Sequence, residues 1–166
     1  MEIKEFSVAD GVALQKIRLQ SLCDSPKAFG SSYEDELAWE KSVYENRIRS
    51  GECTYFGAFV DGSAIGIVCL VFNMRLKTKH RATITSFYVD TNYRGQGIGK
   101  KLILSAIEKA RLLKTVEQVE LSVVTEQSVA ISLYKSMGFE IYGEEAHSLK
   151  IDGRYYNQFY MMKKLH

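Results

Sequence analysis

Residues 83–100 read Thr83-Ile-Thr-Ser-Phe-Tyr-Val-Asp90 and then Thr91-Asn-Tyr-Arg94-Gly-Gln-Gly-Ile-Gly99-Lys100. β-branched and aromatic residues dominate the first half, which predicts a buried strand. From Gly97 onward Ile98, Leu102, Ile103, Ala106, Ile107, Ala110 and Leu113 recur at spacings of three and four, the stripe of a helix packed on a sheet. The glycines therefore fall where a strand hands over to a helix. A helix N-terminus offers backbone N–H groups with no intrahelical partner and the positive end of the helix dipole. Glycines remove the side chains that would keep an anion away, so a phosphate or pyrophosphate is the expected guest.

Two common phosphate motifs do not fit. The dinucleotide fingerprint needs glycines at relative positions one, three and six, and after Gly95 and Gly97 the sixth position is Lys100. The nucleotide-triphosphate loop needs a glycine five residues before its Gly-Lys-Ser/Thr ending. Counting back from Gly99 gives Arg94, and Lys101 follows Lys100. What remains is Arg-x-x-Gly-x-Gly after a strand ending in Phe-Tyr-Val.

Outward from this stretch, the chain divides cleanly. Residues 2–6 alternate as a first strand, and Ser7 or Asp10 can cap a helix with the stripe Val12, Leu14, Ile17 and Leu22. Ser25-Pro26 stops it. Residues 33–50 predict one or two helices with Leu37, Trp39, Val43 and Ile48 buried, ended by Gly51. Residues 53–60 and 64–73 predict strands around an Asp61-Gly62 hairpin turn. Arg75, Lys77, Lys79, His80 and Arg81 then cluster, either as a solvated loop or as a basic arm beside an anionic ligand. Past the central strand (residues 81–90) and its helix come a strand at 118–124, a short helix at 127–137 stopped by Gly138, and an antiparallel pair at 139–147 and 155–164 joined through Asp152-Gly153. This order implies an α/β (α+β) fold, a mixed six- to seven-stranded sheet with helices on both faces.

With 166 residues, one proline, and no repeat or linker, the expectation is a single domain over residues 1–166. A net charge of +2 argues against a nucleic-acid partner bound through bulk charge. No apolar run reaches the roughly 20 residues that span a bilayer, so no membrane partner is expected. The start Met1-Glu-Ile-Lys-Glu-Phe-Ser lacks a signal layout. Cys23, Cys53 and Cys69 are odd in number and widely spaced, which favours reduced thiols in a cytoplasmic protein. They and the scattered His80, His147 and His166 suggest no metal site.

A second informative stretch is Thr125-Glu-Gln-Ser-Val-Ala130-Ile-Ser-Leu-Tyr134-Lys-Ser-Met-Gly138-Phe139. Its Leu-Tyr, three residues, Gly-Phe ending resembles a helix of the GNAT superfamily of acetyl-CoA-dependent N-acetyltransferases. The Arg94–Gly99 turn resembles that family's acyl-CoA-binding motif. The order and spacing of the two, and the order of elements along the whole chain, are also similar to the family.

The resemblance implies a mechanism of direct acetyl transfer to a primary amine of a small molecule or peptide. Acetyl-CoA would lie where the strands ending near Asp90 and Val124 splay apart. Main-chain groups of Phe87, Tyr88 and Val89 would bond the pantetheine arm. Arg94 and the backbone of Gly95, Gln96, Gly97, Ile98, Gly99 and Lys100 would hold the pyrophosphate. Tyr134 would be the general acid that protonates the departing thiolate; the alternative is a tyrosine that packs on the sheet beside Ala130 and Met137. Lys135 could reach phosphates or be plain solvated charge. Gln127 stands where many members have asparagine on the pantetheine arm. Thr83 stands where many have a glutamate as base, so Glu34, Asp35 or Glu36, with Glu34 first, or a water chain, would collect the amine's proton; these acids also suit a charged helix N-terminus. Phe29, Tyr33, Trp39, Tyr155 and Tyr156 are candidate walls of the acceptor pocket or core aromatics. In many members the closing strands pair across a homodimer interface, which is an expectation here too. A non-catalytic acyl-CoA-binding sensor on the same fold is the competing function, and a nucleotide-phosphate enzyme the third.

Overall fold

The computed structural model describes residues 1–166. Its centre is a seven-stranded sheet in the order β1-β2-β3-β4-β5-β7-β6. The chain forms β1 (Glu2–Glu5), α1 (Gly11–Asp24), α2 (Tyr33–Leu37), α3 (Lys41–Arg49), β2 (Cys53–Val60), β3 (Ser63–Phe72), β4 (Arg81–Val89), α4 (Ile98–Leu112), β5 (Gln118–Val124), α5 (Ser128–Ser136), β6 (Glu140–Ile151) and β7 (Arg154–Lys164). No helix is long and apolar enough to cross a membrane.

The hairpin turns follow from their residues. Asp61-Gly62 and Asp152-Gly153 each take positive φ at both positions, +48° then +78°, which matches the right-handed twist of paired strands. β3 is buried on both faces, and this explains its unbroken apolar run. Val68 and Leu70 join a core against α4, with Leu102, Ile103, Ala106 and Ile107. Ile67 and Cys69, one residue out of phase, join a second core against α1, with Leu14, Ile17 and Leu22.

Three buried positions expected from the sequence are exposed instead, one of them Leu113, which is 36% exposed and lies one residue past the end of α4. Val12 is 61% exposed, because the buried stripe of α1 is Leu14, Ile17, Arg18, Ser21 and Leu22, and Val12 lies across the helix from it. Leu37 is 53% exposed, because five-residue α2 turns Glu36 inward and the next side chain points away. Trp39, Val43 and Ile48 are half-buried. Strand β6 runs to Ile151, beyond the expected end at His147.

Two irregularities in β4 position the site. Six of its residues pair antiparallel with β3, but the register slips between Ile67 and Cys69, where Ser86 takes φ +54°. The slip puts one extra residue in β4 and twists its last third. On its other edge β4 pairs in parallel with β5 through three residues only, ending at Thr83 opposite Glu120. Arg81 clamps this short joint, with Nε and Nη2 donating to the two Glu120 oxygens at 2.8 and 2.5 Å. Beyond it β5 stays with β7 along its whole length and β4 stays with β3. The sheet opens between them, and the β4 edge beyond Thr83 has no strand partner.

Candidate active site

A cavity of about 1000 Å³ occupies this opening. Its walls include Gly99 and Leu133 from the α4 side of the sheet and Arg18 and Tyr55 from the α1 side, so it passes through the gap between β4 and β5.

At one end lies the glycine turn. Gly95 and Gly97 both sit at φ +75°, with open space where a Cβ would stand. Gly97 is the residue before α4, and no side chain caps that helix, so its first-turn N–H groups keep no partner from the protein. Gly99 is needed for a different reason: a Cβ there would come within 2.9 Å of the Phe87 ring. Arg94 is held over the turn by its Nε, which donates to the Val89 carbonyl at 2.8 Å, and by the Tyr88 ring, 5.7 Å below its guanidinium. The Tyr88 hydroxyl donates to Asp24 at 2.5 Å, which ties this end of β4 to α1.

Tyr134 stands on α5 and borders the cavity. It is only 5% exposed and packs between the rings of Phe87 and Phe139, each 5.9 Å away. Burial raises its phenol above the ordinary value of 10, so it stays protonated at neutral pH. Its hydroxyl takes part in none of the protein's side-chain hydrogen bonds.

The other end of the cavity is built around an ion pair. Arg18 Nε and Nη2 donate to the two Glu36 oxygens at 3.0 and 2.7 Å, and the Tyr44 hydroxyl adds a third bond at 3.2 Å. Burial alone would raise the Glu36 pKa, but Arg18 outweighs it and holds the carboxyl below its usual range. Burial, and then the same carboxylate, push Tyr44 up to about 12. Arg18 Nη1 has no hydrogen-bond partner. An unpaired buried donor costs about 1–3 kcal/mol.

Of the residues expected from sequence, Phe87, Tyr88, Val89, Arg94, Gly95, Gly97, Ile98, Gly99, Lys100, Gln127 and Tyr134 all border this one cavity. Gln96 and Lys135 do not; both are exposed. Glu34 is likewise exposed and does not reach the wall, because the first turn of α2 points it to solvent. Asp35 is spent on a capping box with Ser32. The acid that reaches the wall is Glu36, and it is locked to Arg18. Sequence reasoning missed Arg18, Arg47 and the Ser86 bulge. Arg18 carried a usable signal, a charge inside the apolar stripe of α1.

A sequence model described as the Acetyltransferase (GNAT) family matches residues 18–139. The chain belongs to the GNAT acetyltransferase family. An uncharacterized N-acetyltransferase of Methanocaldococcus jannaschii is 32% identical over 116 residues, 69% of this chain and 51% of that relative. An L-amino acid N-acetyltransferase of Escherichia coli is 28% identical over 106 residues, covering 64% of this chain and 65% of the relative. The chain thus spans about half to two thirds of the length of these two relatives. A GNAT-family acetyltransferase from Streptococcus pneumoniae has the same fold, with a TM-score of 0.91 over 98% of each chain at 21% identity. Members of the GNAT family use acetyl-CoA.

Proposed function

We propose that this protein transfers the acetyl group of acetyl-CoA to a primary amine. The observation that carries the proposal is the through-sheet cleft, with an uncapped helix N-terminus at one end and a protonated tyrosine on its wall. The residues present suit the cofactor. Arg94 and the free N–H groups of Ile98, Gly99 and Lys100 would hold the pyrophosphate. The unpartnered edge of β4 around Phe87, Tyr88 and Val89 would bond the pantetheine arm, with Gln127 across the gap.

Bound there, acetyl-CoA supplies an acyl group activated as a thioester. Main-chain N–H groups on the β4 edge would polarise its carbonyl. As the neutral amine forms the new C–N bond and the C–S bond breaks, the Tyr134 hydroxyl would give its proton to the thiolate. The proton that the nitrogen sheds would then convert the phenolate back to the phenol. A proton donor so placed is typically worth about 10²–10⁴ in rate. A lysine-like amine of pKa about 10.4 must first lose a proton, at a cost of roughly 4–5 kcal/mol at pH 7. Glu36 is poorly suited to take it, since its oxygens already accept bonds from Arg18 and Tyr44. Water in the open cleft is the better carrier.

The test is release of CoA thiol from acetyl-CoA over a panel of amines, with Tyr134→Phe beside the native chain. Amine-dependent release is expected, with turnover reduced about 10²–10⁴-fold in the variant while acetyl-CoA binding is retained. Equal turnover in both proteins would remove Tyr134 from the mechanism. Acetyl-CoA binding without release for any amine would select the second reading, an acyl-CoA sensor, which the lack of a free carboxylate at Thr83 favours.

A further inference from the structure

The end of the cavity remote from the glycine turn has an uneven charge inventory. Arg18, Glu36 and Arg47 all border it, two guanidiniums against one carboxylate. Arg18 is 8% exposed, spends Nε and Nη2 on Glu36, and leaves Nη1 without a partner. Its guanidinium lies 4.9 Å from the centre of the Phe29 ring, another wall residue. Arg47 makes no ion pair. It is positioned by Tyr55, whose hydroxyl accepts from Nη1 at 3.3 Å, and by the Trp39 ring, 4.9 Å from Cζ. The remaining acid on the cavity wall, Glu126, is paired with Arg154 at 2.6 Å.

We propose that Arg18 and Arg47 form a carboxylate-binding subsite, and that the acetyl acceptor is a primary amine carrying a carboxylate of its own, as an amino acid does. This rests on the acetyltransferase reading for the amine and on the two arginines for the carboxylate. A planar guanidinium fork matches a carboxylate bidentately; Arg47 can offer one, Arg18 offers only the nitrogen that Glu36 leaves, and each guanidinium already lies over an aromatic ring. A carboxylate would balance the surplus positive charge, and a small shift of the Arg18 guanidinium, whose Nη1 is enclosed by protein here, would give that nitrogen the acceptor it lacks. The apolar faces of Phe29 and Tyr55 remain for the rest of the molecule. A polyamine would find the opposite of what it needs, since the one carboxylate at this end is already taken.

The test measures calorimetric binding in the presence of CoA, and thiol release with acetyl-CoA, for a panel of L-amino acids. Each is set beside its carboxamide and its decarboxylated amine. The carboxylate form is expected to win by about 10- to 100-fold in Kd and in KM, the value of a charged hydrogen-bonded contact. Arg47→Met should bring the three forms to within a few-fold. Arg18→Lys, which keeps a cation beside Glu36 and so keeps the fold, should shrink the preference by removing Nη1. Carboxamides or decarboxylated amines that bind as tightly as the amino acids, a stronger preference for a phosphorylated amine, or an undiminished preference in Arg47→Met would overturn the subsite. So would the absence of binding by every carboxylate. Release from carboxamides without preference leaves the acetyltransferase standing and removes the subsite. Selective amino-acid binding without release does the reverse.

Discussion

Arg18 and Glu36 are both buried, and each is the reason the other is tolerated. Removing one partner of a buried pair leaves an uncompensated charge, at a cost of about 3–5 kcal/mol. Glu36→Gln, nearly the same shape, should therefore lower the melting temperature by about 6–20 °C, at 2–4 °C per kcal/mol for a chain of this size. Glu34→Gln, at an exposed position two residues away, should change stability by less than about 0.5 kcal/mol. The pH dependence follows from the depressed Glu36 pKa. Its contribution is complete above the unfolded value of 4.5 and is lost as pH falls through the lower folded value. Melting curves from neutral into acid pH should show the gap between native protein and Glu36→Gln closing only below about pH 4.5. A constant gap, or none at neutral pH, would mean that the pair is not what holds α1 to α2. The sequence alone puts Glu34 first among three neighbouring acids and does not single out Glu36. A helix of five residues has no periodicity from which to tell the inward position from the outward ones, and only the partner, eighteen residues earlier, decides.

The strands, the two Asp-Gly turns and the α4 stripe were legible because each is written in local chemistry: alternation, positive-φ residues, a period of 3.6. The opening between β4 and β5 was not, because it depends on register between distant segments. Three residue pairs and the Arg81–Glu120 fork end the joint, and nothing in either strand alone says so. The glycine turn belongs to the legible class, and its role can be separated from its strain. Gly97→Ala places a side chain at φ +75°, which costs about 1–2 kcal/mol. Gly51→Ala does the same at φ +72°, also in open space but away from the cavity. Both variants should lose similar stability. Only Gly97→Ala should also weaken acetyl-CoA binding, by about tenfold, if the turn relaxes by the 1–2 kcal/mol of strain and swings the α4 N–H groups off the pyrophosphate. Equal acetyl-CoA affinity in the two variants, read by calorimetry, would take the phosphates away from this turn.

On the scale of the whole molecule, the sheet is two blocks, β1 to β4 and β5 to β7, joined by that short parallel joint and by the α4 crossover. The cavity has walls from both blocks: Phe87, Val89 and Arg94 from one, Leu121, Gln127 and Tyr134 from the other. A ligand that fills it must stitch the blocks together where the backbone does not. At a concentration one hundred times Kd, binding to the folded state alone adds about 2.7 kcal/mol, which at 2–4 °C per kcal/mol raises the melting temperature by about 5–10 °C. That shift would follow from binding anywhere. The distribution of amide-exchange protection is what tells a bridge from a one-sided contact. Acetyl-CoA should slow exchange at the N-terminus of α4, along the free edge of β4 and, across the gap, in residues 121–134. A nucleotide that satisfies only the glycine turn, such as adenosine 3′,5′-bisphosphate, should protect α4 and leave residues 121–134 unchanged. Protection confined to α4 with both ligands would mean that the pantetheine arm does not enter the sheet, and Tyr134 would then have no thiolate within reach.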